Sequence, residues 1–494
     1  MTDLKLSSFR KPLLALALIA IGPLLSACST SEATGRTFFN GGMSPDQEQE
    51  VGRTEHAKIV KEFGGVYNED PALTNYITKL GTFLGKTSET PDQKFTFTLL
   101  DSPVVNAFAL PGGYVYTTRG LLALANDEAE LAGVIAHEIG HVTAKHSAER
   151  YGSTLTAGLL AAGVGILTGS GEAAQAASAV GNLAVTGFSR EQEFEADLLG
   201  VRYLTRGGFD PNGMGEFLTQ LQASSRLDAT IAGDPGRADK FNIMQTHPRT
   251  ADRIERAIKQ AGTTAVKNPI IGRDVYLKKI DGMLYGDDPS QGYIRGQTFS
   301  HPELKLTFTA PEGFRLINSK TKVAAVGPDD SIIIFDGAKG KVSGSLKSYL
   351  VNTWAEKAPI KGVENITING MEAVTGSISI KQRNGQRDFR LIAIRFDGDK
   401  VYRFTFVTNP NQTNRLSEDF RRTTYSFKRI SKSEAAKLKP YRIKIHTVRS
   451  GETLASLAKK MPFSDYKLER LLVLNGLKEN SPLQRGQKVK LITE

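Results

Sequence analysis

Two histidines four apart, with a glutamate beside the first, are the residues best equipped for chemistry in this sequence: His137-Glu138-Ile139-Gly140-His141. On a helix, positions i and i+4 share a face, so both imidazoles can reach one Zn²⁺ at about 2.0–2.1 Å. Glu138 sits beside that face, placed to work on a water rather than on the ion. The chain holds only seven histidines, so chance produces this H-E-x-x-H spacing at on the order of 1% or less. A catalytic zinc needs three protein ligands and an open position. The third ligand should come from another element, and the acids of Ser189-Arg-Glu191-Gln-Glu193-Phe-Glu195-Ala-Asp197 are the candidates. Glu193 and Asp197 stand i, i+4 on an expected helix, so one can bind the metal while the other orients a ligand histidine. Spacing alone leaves Glu191 with Glu195 open. His146, five residues past His141, turns off the ligand face and reads as structural.

These residues need helices to hold them. The stretch from Glu128 to Arg150 contains no proline and is expected to be one helix. Further helices are expected at 44–63, opened by Ser44-Pro45-Asp46, and at 71–84, 191–206, 213–224 and 248–261. Phe95–Leu99 alternates as a strand. Val104–Thr118, with Pro111-Gly112-Gly113 in its middle, reads as two strands around a turn. It should give an exposed sheet edge to which a substrate peptide can add. Between the second histidine and the acids lies an Ala/Gly-rich insert, 153–187, read either as a mobile or interfacial flap or as a buried helical hairpin. Residues 263–300 read as a linker with one short helix. Residues 301–430 turn mostly to strands with two helices, and 442–493 form a short separate module.

The stretch His137–His141, followed by Ser-Arg-x-x-Glu-x-Glu-Ala-Asp ending at Asp197, resembles the HtpX/BepA-like gluzincins, metallopeptidase family forty-eight. Asn106–Gly113 with Arg119-Gly120-Leu121, and Thr246-His247-Pro248 with Arg253-Ile254, are similar to that family's flanking motifs. The resemblance spans 44–262. It implies one Zn²⁺ held by His137, His141 and Glu193, with Glu138 as general base toward a metal-activated water and Asp197 behind the ligands. His247 and Arg253 are candidate catalytic donors to a tetrahedral intermediate. His247 has two other readings, a fourth ligand that blocks the open position and an ordinary surface-loop histidine. The tail from His446 to Leu491 resembles a LysM domain, a strand–helix–helix–strand unit whose family binds peptidoglycan glycans. It departs in having Gly451-Glu452-Thr453 where Gly-Asp-Thr is usual. Its role is read as glycan binding or as structural docking. Residues 301–430 bear a weak resemblance to PsbP/Mog1-like α+β domains.

The N-terminus sets the compartment. Lys5, Arg10 and Lys11 precede an apolar run from Pro12 to Leu25, the layout of an export signal. The run ends Leu25-Ser26-Ala27-Cys28, which resembles a bacterial lipobox with Cys28 as the lipidated residue. Residues 1–27 are then the signal and 28–43 a tether. Hydrophobic residues at 40% and charged residues at 23% exclude a disordered chain, a collagen and a polytopic membrane protein. The net charge of +11 suits anionic envelope surfaces and is too diffuse for nucleic acid. One cysteine permits no intrachain disulfide. The expected fold is multidomain α+β: a mainly helical zincin-type domain with a small edge-exposed sheet, an α+β domain at 301–430, and a βααβ LysM-like domain. The expected function is a periplasm-facing, outer-membrane zinc endopeptidase acting on unfolded or misassembled envelope proteins. The membrane is reached through Cys28 and peptidoglycan through 442–493. The competing readings are a latent-site assembly chaperone and a peptidoglycan-docked scaffold.

Overall fold

The computed structural model describes residues 28–39, 43–154, 187–233, 247, 251–263, 266–356, 358–382 and 385–494. The expected signal, most of the Ala/Gly-rich insert, and Thr246 and Pro248 beside His247 lie outside the described residues. The chain divides into two compact units. One takes residues through Met283 with Ile443–Met461 and Tyr466–Leu491; the other takes Leu284–Arg442, Pro462–Asp465 and Ile492–Glu494. Helix and sheet are mixed in a multidomain α+β chain.

The first unit opens with a correction. Residues 28–39 are not a free tether: β1 (Cys28–Thr30) pairs antiparallel with β2 (Thr37–Phe39), and Phe38 is buried. Helices α1 (Pro45–Glu62) and α2 (Pro71–Gly85) start from Ser44 and Asp70, whose side chains accept first-turn N–H groups, with proline just inside. A small sheet follows, ordered β3 (Thr96–Leu100), β5 (Tyr114–Thr118), β4 (Ala107–Leu110), with β3 parallel and β4 antiparallel to β5. Gly112 and Gly113, at φ of 78° and 84°, make the turn between β4 and β5. The expectation of an exposed edge is corrected here. All of β4 is buried, because the metal-motif helix packs against it, and its Ala109 carbonyl already accepts from Ser147 Oγ at 3.0 Å.

After α3 (Arg119–Leu124), helix α4 (Glu128–Thr143) carries the H-E-x-x-H motif, and all but its first residue are buried. Asp127 caps it by accepting from Glu130 N. The single helix expected over 128–150 is broken. Lys145 takes a left-handed φ of 66°, and a new helix, α5, is described over 146–154. Helix α6 (Arg190–Arg206) bears the acids and begins in a capping box between Ser189 and Gln192. Glycines let α4 and α6 approach closely. A Cβ on Gly140 would lie 3.0 Å from Ala196 O, and one on Gly200 would lie 3.2 Å from His137 Cα. Helices α7 (Gly213–Ile231) and α8 (Ala251–Gly262) complete the group.

The short helix expected in the linker is present, and it and the tail pack against the first unit. Helix α9 (Arg273–Ile280) in the expected linker buries Tyr276, Leu277 and Ile280, and Tyr276 donates to Leu122 O. The tail does have the order strand (Tyr441–Thr447), helix (Leu454–Ala458), helix (Lys467–Asn475), strand (Lys488–Thr493). It is not separate. Lys490, fully buried, donates to Ala123, Leu124 and Ala125 carbonyls at 2.8, 3.1 and 2.6 Å, closing the end of α3. The second unit is built on a seven-stranded antiparallel sheet from Arg315 to Thr408, with helix Pro410–Ser426 contributing Leu416 and Phe420 to its core.

Candidate metal centre

Four side chains converge at the interface of α4 and α6. His137 Nε2 and His141 Nε2 face each other at 3.0 Å. The Glu193 carboxylate lies 3.6 Å from each of them. His247 Nδ1 sits 2.9 Å from Glu193 Oε1 and 3.4 Å from His137 Nε2. One ligand atom from each of these four residues lies within 4.8 Å of the others, and all four residues are buried. Burial comes first among the causes that hold His141 well below its ordinary pKa, with His137 next. The His141 imidazole is thus held in its neutral, metal-binding form. Two imidazole nitrogens aimed at each other, with a carboxylate shared between them, fit a small N/O-binding cation such as zinc. The i, i+4 spacing on α4 makes the pair, and the glycine contacts bring α6 close enough to add Glu193.

A second group of side chains orients the first. His137 Nδ1 lies 2.9 Å from Asp197 Oδ1. Arg253 grips Asp197 with Nε and Nη2, both at 2.7 Å, and its Nη1 pairs with Glu193. Burial alone would raise both carboxylates. The guanidinium of Arg253 is the main reason Asp197 lies far below its usual range, and His247 with Arg253 holds Glu193 low. This corrects the reading of Arg253 as a donor to an intermediate: its guanidinium faces the two acids. Glu138 is wholly buried and neither oxygen has a hydrogen bond; its nearest basic neighbour is His247 Nε2 at 3.4 Å. Burial pushes the Glu138 carboxyl up. His247 is 5% exposed, so it is not a surface-loop residue. Glu191 is exposed and Glu195 pairs elsewhere, so neither reaches the histidine pair.

Two residues of this centre, Phe188 and Arg150, escaped the sequence reading, and His146, read there as structural, lies against a ligand histidine. His146 is buried, with Nδ1 2.9 Å from His141 Nδ1. Phe188 stacks on the His141 ring at 3.8 Å between centroids and 16° between planes. Arg150 covers the Phe188 ring at 4.1 Å, and burial lowers its guanidinium pKa to about 10. The left-handed Lys145 brings His146 back to His141, and no residue pattern announces it. Phe188 stands directly before the Ser189 cap, which is the only sequence signal it offers.

Comparison with known proteins agrees with this geometry. The model of peptidase family M48 matches residues 71–261, and that of the LysM domain matches residues 446–491. A beta-barrel assembly-enhancing protease of Yersinia pestis is 31% identical over 264 residues, covering 51% of this chain and 52% of its own. A mitochondrial metalloendopeptidase of Schizosaccharomyces pombe is 29% identical over 228 residues, 45% of this chain and 63% of its own. The chain thus spans about half the length of the first of these relatives. Among solved structures, cyanobacterial PsbP of Synechocystis matches 29% of this chain and 98% of its own at 14% identity, with a TM-score of 0.23.

Proposed function

We propose that this chain, which carries a peptidase family M48 domain and a LysM domain, is a zinc-dependent endopeptidase of the bacterial envelope. Its substrates are unfolded or misassembled envelope proteins, and its reaction is hydrolysis of their peptide bonds. One observation carries the reading: His137, His141 and Glu193 meet at a point, and beside it lies Glu138, buried and without a hydrogen bond. His137, His141 and Glu193 hold one zinc, which when bound polarises a carbonyl and lowers the pKa of water toward about 7. Glu138 accepts the water's proton and returns it to the leaving amine; burial keeps its carboxylate basic enough for the task. Asp197 fixes the tautomer of His137. Arg253 aligns Asp197 with Glu193. Cys28 carries the lipid anchor to the outer membrane, with the site facing the periplasm, and residues 442–493 meet peptidoglycan.

A second reading has its own support. His247 rests on Glu193 and against His137, where it would serve as a fourth ligand to a bound zinc and block the position a substrate needs. In that state the chain holds polypeptides as a latent-site chaperone or scaffold. The test is incubation of the purified, zinc-restored chain with casein, alongside Glu138→Gln. Cleavage by the parent alone supports the peptidase. Silence from both, with zinc bound, moves the reading to the latent form, and activity gained in His247→Ala then identifies His247 as the latch.

A further inference from the structure

The residues that follow Cys28 reach the metal centre through a continuous chain of polar contacts. Ser31, buried at the hairpin turn, donates from Oγ to Thr143 O at 3.0 Å, at the end of the helix that carries both histidines. Arg36 bonds Glu149 on α5 at 2.8 Å and pairs with Glu195 on α6 at 3.2 Å. Thr34 also hydrogen-bonds Glu195. Glu149 in turn accepts from Gln192, the capping-box residue of α6, at 2.9 Å. Glu195 Oε2 lies 2.8 Å from His146 Nε2, and His146 Nδ1 lies 2.9 Å from His141 Nδ1.

Proton accounting gives this chain a direction. A metal on His141 Nε2 requires the His141 proton on Nδ1. His146 must then accept at Nδ1 and carry its own proton on Nε2, which donates to Glu195. Glu195 performs that role only while its carboxylate is held in place, and Thr34 and Arg36 hold it.

We propose that hairpin 28–39 is a clamp on the metal centre and that Arg36 is a positioning residue, setting the tautomer of His141 through Glu195 and His146. The segment expected to attach the chain to the membrane therefore also conditions metal binding. The proposal rests on His141 being a zinc ligand, as in the reading above.

Two measurements on the purified full chain separate the claims. The first is hydrogen exchange of the metal-free parent, Arg36→Ala and Arg36→Lys. Faster exchange over 143–150 and 190–195 in Arg36→Ala, partly restored by lysine, is expected; unchanged exchange overturns the clamp whether or not zinc binds. The second is chelator competition for zinc with the visible spectrum of the cobalt-loaded forms. Arg36→Ala and Glu195→Gln should each weaken zinc by about 10-fold and shift the cobalt bands. The double variant should be no weaker than the weaker single, because both act on one path. Altered exchange with parent-like zinc affinity and cobalt spectrum makes the hairpin a stabiliser only and overturns the positioning role. A parent that binds no zinc sinks the peptidase reading and the positioning role together, while exchange still decides the clamp.

Discussion

Glu138 lies beside His247 while Asp197 backs His137, and substitution should separate their roles. Glu138→Gln keeps shape and metal but removes the base, so kcat on a casein-derived peptide should fall by about 10²–10⁴ with zinc content unchanged. Asp197→Asn leaves Arg253 and His137 without their carboxylate. Zinc affinity should then drop about 10–100-fold, read by chelator competition, even where residual kcat at saturating zinc stays close to the parent's. The pair His137 and His141 with Glu138 was legible in sequence because i, i+4 spacing fixes a shared helix face. Spacing did not choose Glu193 over Glu191, since both fall on one helix; the family resemblance named Glu193, and the packing of α6 on α4 turns it inward. Arg253 was misread for the same reason: its charge was visible in the sequence and its partners were not.

Elements carry the spacing between these groups. A Cβ on Gly213, at the start of α7, would meet the Ala129 backbone at 2.6 Å, at the first turn of the motif helix. Gly213→Ala should cost about 1–3 kcal/mol in urea unfolding and weaken zinc, because α4 must shift. A retained midpoint with unchanged zinc affinity would count against this packing account. In the tail, Glu452 stands where the LysM pattern usually has aspartate. It bonds His446 Nε2 at 2.7 Å, Lys460 Nζ at 2.6 Å and Arg449 N at 2.7 Å. Lys460 first and then His446 hold its pKa down at about 2, against an ordinary value of 4.5. A depressed carboxylate adds stability above the unfolded pKa and loses it as pH falls through the folded one. Acid titration of the Glu452→Gln variant should therefore remove part of the parent's stability loss between about pH 4.5 and 2. Helix positions such as 45–62 and 71–85 were readable because their caps and prolines are local signals. The break at Ala144–Lys145 was not, because nothing local demands a left-handed lysine.

The tail is bound to the unit that carries the metal centre. Lys490 reaches three carbonyls at the end of α3, and Arg273 spans Asn126 O at 2.9 Å and Lys488 O at 3.3 Å. Replacing Lys490 with Met leaves those buried carbonyls unsatisfied, at about 1–3 kcal/mol. Calorimetry of the parent should show the tail and residues 44–283 melting together, with Lys490→Met splitting off an earlier transition; independent melting in the parent would mean the tail is a free module. Local signals alone specify the H-E-x-x-H helix, the acid-bearing helix, the mixed α+β composition and the strand–helix–helix–strand order of the tail. Each of these rests on signals within a few residues: periodicity, caps, turn glycines and ligand spacing. Only the tertiary structure decided that the stretch after Cys28 forms a hairpin against α5 and α6, that the sheet edge is covered, that His146 returns to His141 and that the tail is docked. The hairpin and the docked tail join residues more than a hundred positions apart, Arg36 with Glu149 and Lys490 with Ala123. Partner choice at such range depends on which buried faces pack together, and no local pattern of residue types encodes it.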